Sequence, residues 1–176
     1  MTMQYDVSSA HLNSSGFAVL GRLRVKSMVV STSATGGQIN VWDSATAPIT
    51  ASYSQTGYTV TVTSTAHGLA TGNRIGISYN TATGVSATNG NYVITVTGND
   101  TFTVTDINSR SIAGGTVCTY VANTATGNST QWHSTVDMGG AAGTSTIGVP
   151  GEGMLIENAL YLSFGAGVTG VTVFYG

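Results

Sequence analysis

Hydrophobic and polar residues alternate with a period of two along most of the chain, which is the spacing of a half-buried strand. The clearest cases are Y-T-V-T-V-T at 58–63, Y-V-I-T-V at 92–96, T-F-T-V-T at 101–105 and V-T-V-F-Y at 171–175. Threonine, valine and aromatic residues suit a pleated surface. Glycine and asparagine between these segments supply the positive φ angles of tight hairpins. The pattern predicts many short antiparallel strands and no helix longer than two turns.

The chain is not uniform along its length. Residues 49–121 are rich in threonine and have their own rhythm of strands and turns, and both tryptophans lie outside them. Residues 121–128 are small and polar, which is typical of a linker. We therefore predict an all-β fold in which 1–48 and 122–176 form a jelly-roll-like antiparallel sandwich. Residues 49–121 form a smaller, β-barrel-like module inserted in one of its loops, because insertions are tolerated where the two ends of the insert lie close together.

The composition narrows the class of protein. Charged residues make up 7% of the chain, against about 25% in typical soluble proteins, and 29 Thr, 19 Ser and 24 Gly take their place. Coiled coils need far more Glu, Lys and Leu. A net charge of −2 and a pI near 5.8 show no basic surplus for nucleic acid. No apolar run is long enough for a membrane-spanning helix, and the first residues lack the features of a signal peptide. We expect neither a nucleic-acid nor a membrane partner.

One set of motifs lies in the middle of the chain. It comprises T-A-H-G-L-A-T-G-N-R-I at 65–75, G-N-Y-V-I at 90–94 and D-T-F-T-V at 100–104. The pattern A-H-G-L, T-G-[DN]-x-[IV], G-x-Y-x-[IV], D-T-F-T-[IV] resembles a small β module that is common in the virion proteins of tailed phages. The resemblance concerns the fold and implies no chemistry.

A second set of motifs lies in the outer parts of the chain. It comprises G-G-Q-I-N-V-W-D at 36–43, V-P-G-E-G-M-L-I-E-N-A-L-Y-L at 149–162 and V-T-V-F-Y-G at 171–176. This set resembles small β-sandwich structural proteins, of the capsid decoration or cement type, from marine and cyanobacterial tailed phages. Ala159 stands where that family's pattern has glycine.

The resemblance implies a structural protein of a tailed bacteriophage particle. The most specific function that the resemblance implies is that of a capsid decoration or cement protein, which binds the outer shell and stabilises it. The expected location is then the virion, assembled in the host cytoplasm, and the expected partners are the major capsid protein, or another virion protein, and copies of itself in a homotrimer. Two alternatives stay open. One is a tail- or fibre-associated structural protein. The other is a host-surface or glycan-binding module, whose candidate aromatic shelf is Tyr53, Tyr58, Tyr79 and Tyr92.

The histidines and the cysteine give no metal motif. His11, His67 and His133 lie far apart and lack the H-x-H or H-E-x-x-H spacing of metal ligands. We expect the ring of His67 to hydrogen-bond the backbone of its turn. Cys118 is the single cysteine, so the chain forms no internal disulfide, and we expect its thiol to be buried in a strand. We predict no metal and no cofactor.

Catalytic arrangements are equally sparse. Glu152 and Glu157 could form the carboxylate pair of a glycosidase, but a sugar-binding cleft would need more aromatic residues than this chain offers. The glycine-rich segment 139–145 contains neither a G-x-S-x-G elbow nor a phosphate-binding loop with its lysine. We predict that the protein is not an enzyme and has no catalytic residues.

A basic segment is the clearest electrostatic feature. Arg22, Arg24 and Lys26 are three of the five positive charges, and their period-two spacing projects them from one face of a strand, about 6.6–6.8 Å apart. This face is either a solvated surface or a docking face for an acidic partner, such as a capsid surface or a neighbouring subunit. Arginine suits the second role because guanidinium groups bind carboxylates through paired hydrogen bonds.

Overall fold

The computed structural model describes residues 7–79, 85–123, 132–140 and 142–176, and in these residues the protein is all-β with antiparallel sheets. This confirms the predicted fold class. In the same residues, no helix is long and apolar enough to cross a membrane. The described strands are β1 (Ser8–Leu12), β2 (Gly16–Leu20), β3 (Leu23–Thr32), β4 (Gly37–Asp43), β5 (Ile49–Thr63), β6 (Arg74–Tyr79), β7 (Gly90–Val93), β8 (Thr95–Gly98), β9 (Thr101–Asn123), β10 (Trp132–Met138), β11 (Gly143–Gly148), β12 (Met154–Ile156), β13 (Ala159–Phe164) and β14 (Val168–Tyr175).

The chain divides into two compact units. One consists of Met1–Ala47 with His133–Gly176, and the other is Pro48–Trp132. The sequence placed these divisions after residues 48 and 121. Strand β9 continues beyond residue 121, and its pairing with β6 reaches Asn123 opposite Arg74. Residues 124–128 of the proposed linker lie outside the described residues.

The first unit contains two antiparallel sheets in a sandwich-like arrangement. One sheet has the order β1-β14-β3-β11, with β12 also paired to β3, and the other has the order β10-β4-β13-β2. Alternate residues of both sheets bury their side chains in one hydrophobic cluster. Its fully buried members include Val25 and Val30 of β3, Val171 and Val173 of β14, Ile39 and Val41 of β4, and Leu160 and Leu162 of β13. Burying each of these side chains contributes about 1.5–3 kcal/mol, which favours two facing sheets.

The second unit is built on the sheet β5-β9-β6-β7, with β8 also paired to β9. Its core mixes aliphatic and aromatic side chains. The buried set includes Val60, Val62, Ile75, Ile77, Tyr53, Tyr79, Phe102, Val104 and Tyr120. Strand β5 pairs with β9 along its length, but the register shifts between Tyr53 and Gln55 and again between Gly57 and Thr59. Gly57 has a φ of 62°, so the strand bends there rather than running straight.

Candidate functional site

The basic segment lies at the start of β3. Arg22 is exposed in the bend that precedes the strand, after Gly21 with a φ of 90°. Leu23 and Val25 are buried, so Arg24 between them projects from the opposite face and is only half-buried. Two of the three cations therefore belong to the strand and the third belongs to the turn before it, where the sequence had placed all three on one strand.

Lys26 occupies a β-bulge, and the period-two burial of β3 breaks directly after it, because Lys26 and Ser27 are both half-buried before the buried Met28. Tyr175 pairs with Val25 and Phe174 pairs with Ser27, so Lys26 is the extra residue of β3. Its carbonyl accepts the N–H of Val149 at 2.9 Å, and its ammonium donates to the Glu152 carbonyl at 2.9 Å. Bulges re-aim a side chain in this way. Lys26 is thereby tied to the 149–153 loop.

Glycine is required where that loop meets β3. Gly153 has a φ of 86°, and a Cβ on it would lie 2.5 Å from the carbonyl oxygen of Val25. The P-G-x-G motif at 150–153 is therefore explained by the close approach of its backbone to β3. This contact fixes the loop beside the basic segment.

The charges of Arg22 and Arg24 are not neutralised within the described part of the chain. There, neither guanidinium forms an ion pair, and Lys26 bonds a carbonyl rather than a carboxylate. Among the described residues, no ion pair within 4 Å joins the three positive charges at the start of β3 to an Asp or Glu side chain. This surface, Arg22, Arg24 and Lys26, is named the basic segment below.

The outer motifs meet around a buried carboxylate, Asp43, that sequence reasoning did not single out. Asp43 is 3% exposed and accepts the N–H groups of Glu157 at 2.9 Å and Asn158 at 2.8 Å. The Asn158 side chain donates to it as well, at 3.1 Å. The W-D motif and the E-N motif are thus joined directly, which is a structural role for both.

In the second unit, His67 fixes its own turn, as the sequence predicts. Its Nδ1 accepts the N–H of Leu69 at 3.0 Å, so its Nε2 carries the proton and donates to the Gly98 carbonyl at 3.1 Å. The ring packs edge-on against Phe102 at 5.3 Å. Both ring nitrogens are therefore occupied, and neither is left to bind a metal. A pocket of about 310 Å³ beside this turn is lined by Ala66, His67, Gly68, Leu69, Val96, Gly98 and Asn99.

The remaining candidate ligands lie apart. His11 shares a hydrogen bond with Thr172, and His133 with the Leu155 carbonyl. Within the described ranges no three His, Cys, Asp or Glu side chains come together as a metal site would require. Cys118 is buried in β9, and burial raises the pKa of its thiol to about 12. A thiol with this pKa is unreactive near neutrality.

Glu152 and Glu157 are both exposed. Glu152 lies in the turn before β12, and the backbone of Glu157 is held by Asp43. A glycosidase needs its two carboxylates in a substrate cleft, and these two lie on an open surface instead.

Asp106 is a second buried carboxylate that the sequence pattern did not single out. It is 2% exposed and accepts the N–H groups of Thr88 at 3.0 Å and Asn108 at 3.1 Å, together with Arg110 Nη1 at 2.8 Å. Burial alone would raise the pKa of Asp106, but the hydrogen bond from the Thr88 side chain, the backbone hydrogen bonds of Asn108 and Thr88 and the Arg110 charge outweigh it and lower the pKa below its usual value. All of the described contacts are internal to the unit, so Asp106 anchors a loop.

Tyr53, Tyr58, Tyr79 and Tyr92 do not form an exposed aromatic shelf for glycan binding. Tyr53 and Tyr79 are 1% exposed and pack against each other with ring centroids 4.6 Å apart. Tyr92 is half-buried and its hydroxyl donates to the Thr88 carbonyl. Tyr58 is 57% exposed. A single exposed ring offers no stacking platform for a sugar chain, because the strand alternation turns the others inward.

Fold and site together define an all-β protein of two antiparallel units, one of which carries a basic strand. No family model and no curated protein matches the chain. Among solved structures, the phage phi92 endosialidase matches 82% of this chain at 21% sequence identity, with a TM-score of 0.28. The match covers 20% of that protein, so this chain spans about a fifth of its length. A TM-score this low establishes neither a shared fold nor a shared activity.

Proposed function

We propose that the chain is a structural protein of a tailed bacteriophage particle, and specifically a capsid decoration protein that binds the outer shell and stabilises it. The feature that supports this function best is the basic segment. It concentrates three of the five positive charges of the chain at the start of β3 and in the turn before it, without an Asp or Glu partner in the described residues. Such a surface favours an acidic partner surface.

The geometry of the basic segment suits docking. Strand β3 is paired on both sides, to β14 and to β11 and β12, so its backbone is held before any partner arrives. The backbone of Arg24 is fixed further by reciprocal hydrogen bonds with Gly176 at 3.0 and 3.1 Å. Pre-ordered side chains and backbone reduce the entropy lost on binding, and guanidinium groups make paired hydrogen bonds to carboxylates.

The rest of the surface suits packing of many copies. Threonine and serine replace charged residues on the exposed faces of the strands, so neighbouring copies meet little electrostatic repulsion. Short side chains also lose little conformational entropy when an interface buries them. The proposed partners are the major capsid protein, or another virion protein, and further copies of this chain in a homotrimer. The proposed role needs no catalysis and no cofactor.

The resemblance of the motifs adds to this support. In the structure, the outer motifs meet at Asp43 and the inner motif forms the His67 turn. Each motif therefore builds a loop in a β framework, which agrees with structural proteins rather than with enzymes. A location in the tail or fibre is the main competing possibility.

Cryo-electron microscopy of the intact particle tests the location. We expect hundreds of copies, with density repeated at three-fold and quasi-three-fold positions of the shell and the basic segment at the contact. Density confined to the tail would contradict the decoration role and favour a tail or fibre component instead. Absence from the particle would overturn the proposed function altogether.

Charge reversal tests the basic segment itself. Arg22→Glu and Arg24→Glu, introduced one at a time, each change the net charge by −2, and we expect each to weaken binding to shells stripped of this protein by about tenfold, or about 1.4 kcal/mol. The matched control carries Thr50→Glu with Ser111→Glu, which makes the same change in net charge at two exposed sites of the other unit. Equal binding by reversal and control variants would rule out the basic segment as the docking face.

A further inference from the structure

Strand β5 lies at the end of its sheet. Among the described residues, β9 is the strand that pairs with it, and no strand pairs with its other edge. Across β9, by contrast, β8 pairs at Thr95 opposite Thr103, and the N–H of Val96 in β8 donates outward to Thr71 Oγ1 at 2.9 Å. The three-stranded region β5-β9-β8 thus has a covered edge on β8 and an open edge on β5.

The open edge lacks the usual protection. Proteins guard edge strands with charged residues, prolines or bulges, because an unpaired row of backbone groups can pair with another chain. Strand β5 contains no charged residue and no proline over its 15 residues. Its two register shifts lie before Thr59. Residues 59–63, T-V-T-V-T, are therefore a regular and unprotected edge, named the 59–63 edge below.

The 59–63 edge has the same pattern as the strand it already pairs with. Val60 and Val62 are buried, and the threonines face outward. Its partner on β9 is T-F-T-V-T, with threonine opposite threonine at all three positions. These pairs are Thr59 with Thr105, Thr61 with Thr103 and Thr63 with Thr101. A second copy of the edge would present this pattern again, with threonines on one face and apolar residues on the other.

We propose that the 59–63 edge pairs antiparallel with the same edge of a second copy of this chain. The contact would be two-fold and would close on itself, which is the commonest symmetry of protein dimers. The outer row of Thr61, Thr103 and Thr95 would continue into the second copy, and the row of buried valines would continue beneath it. Since neither edge carries a charge, no repulsion opposes the pairing. This surface is independent of the basic segment and of any role in a virion.

Distances between spin labels test the geometry. Labels are placed in Thr61→Cys on β5 or, as the matched control, in Thr103→Cys directly opposite on β9. The native Cys118 is fully buried with a pKa raised to about 12, so it stays unlabelled. Each control label lies one strand farther from the two-fold axis, so we expect the separation at 61 to be shorter by up to about 10 Å, two strand spacings. A shorter separation at 103, or no intermolecular distance at all, would overturn the proposal.

Sedimentation of the full chain tests the energetics. We expect a concentration-dependent pairing that doubles the mass of the smallest species, whether that species is the single chain or the homotrimer proposed above. Thr61→Lys should weaken this pairing at least about tenfold because two ammonium groups would face each other across the contact. Thr103→Lys places the same charges about 14 Å apart, beyond the Debye length at physiological salt, and should leave the pairing nearly unchanged. No doubling of mass at millimolar concentration, or equal weakening by both variants, would refute the 59–63 edge as the contact. Circular dichroism shows whether each variant is folded.

Discussion

Two buried aspartates, one in each unit, occupy equivalent places in their strands. Asp43 follows Ile39 and Val41, and Asp106 follows Phe102 and Val104, each as the next inward position after two buried apolar residues. Both carboxylates accept two backbone N–H groups: Asp43 takes both from the loop residues Glu157 and Asn158, and Asp106 takes one from the loop residue Thr88 and one from Asn108 of its own strand. They differ in the third donor, which is the neutral side chain of Asn158 for Asp43 and the charged Arg110 for Asp106.

The chain has seven acidic residues, and the comparison shows that two of them hold loops in place. A carboxylate at the end of a buried row can satisfy loop N–H groups that the sheet does not reach, and an unsatisfied buried N–H is costly. In the first unit, all of the described donors to Asp43 are neutral. In the second unit, burial would raise the pKa of the carboxyl, but the hydrogen bonds from Thr88 and Asn108, together with the charge of Arg110, lower it. Three predictions test how much the two carboxylates contribute to stability and how much the Arg110 charge adds at Asp106.

The largest effect is expected when either carboxylate is removed. Asp43→Ala leaves the N–H groups of Glu157 and Asn158 without an acceptor, and Asp106→Ala does the same for Thr88 and Asn108. Each change should reduce the free energy of unfolding by about 2–4 kcal/mol, because hydrogen bonds to a charged group contribute about 1.5–3 kcal/mol each and water replaces part of the loss at these part-buried donors. Chemical denaturation measures the loss, and hydrogen exchange at the affected loops shows which unit opens. A loss below about 1 kcal/mol would mean that water replaces the carboxylate, and neither aspartate would then be an anchor.

Much of this arrangement was predictable from the sequence, and some of it was not. The period-two pattern predicted the all-β fold and the buried rows. The same alternation points Asp43 and Asp106 inward, so extending each row by one residue would have found them. The bulge at Lys26 and the turn at Arg22 were not visible, because a bulge depends on the register against β14, which sequence periodicity does not encode. The burial of Tyr53 and Tyr79 likewise depends on which face of each strand meets the core.

A smaller effect is expected when the countercharge alone is removed. Arg110→Met keeps much of the stem of the side chain and leaves Asp106 with its two backbone donors, which is close to the situation of Asp43. We expect a loss of about 1–2 kcal/mol, well below that of Asp106→Ala, because the arginine side chain is 24% exposed and water screens part of the pair. Denaturation of both variants under the same conditions measures the difference. Equal losses would show that the guanidinium, rather than the N–H groups, is what makes Asp106 an anchor.

The smallest effect is expected from protonation of Asp106. Its pKa is lowered in the folded protein from the ordinary 3.8, so the folded state favours the ionised form. The resulting stabilisation is fully present above pH 3.8 and is lost as the pH falls through the lowered pKa. Asp106→Asn removes this titration while keeping a similar shape, so the difference in stability between the native chain and the variant should narrow as the pH falls from 5 to 2. Thermal unfolding across this range measures it, with Asp137→Asn, at an exposed aspartate of the other unit, as the control. A difference that stays constant with pH would mean that the ionisation of Asp106 contributes nothing to the stability of the fold in this range.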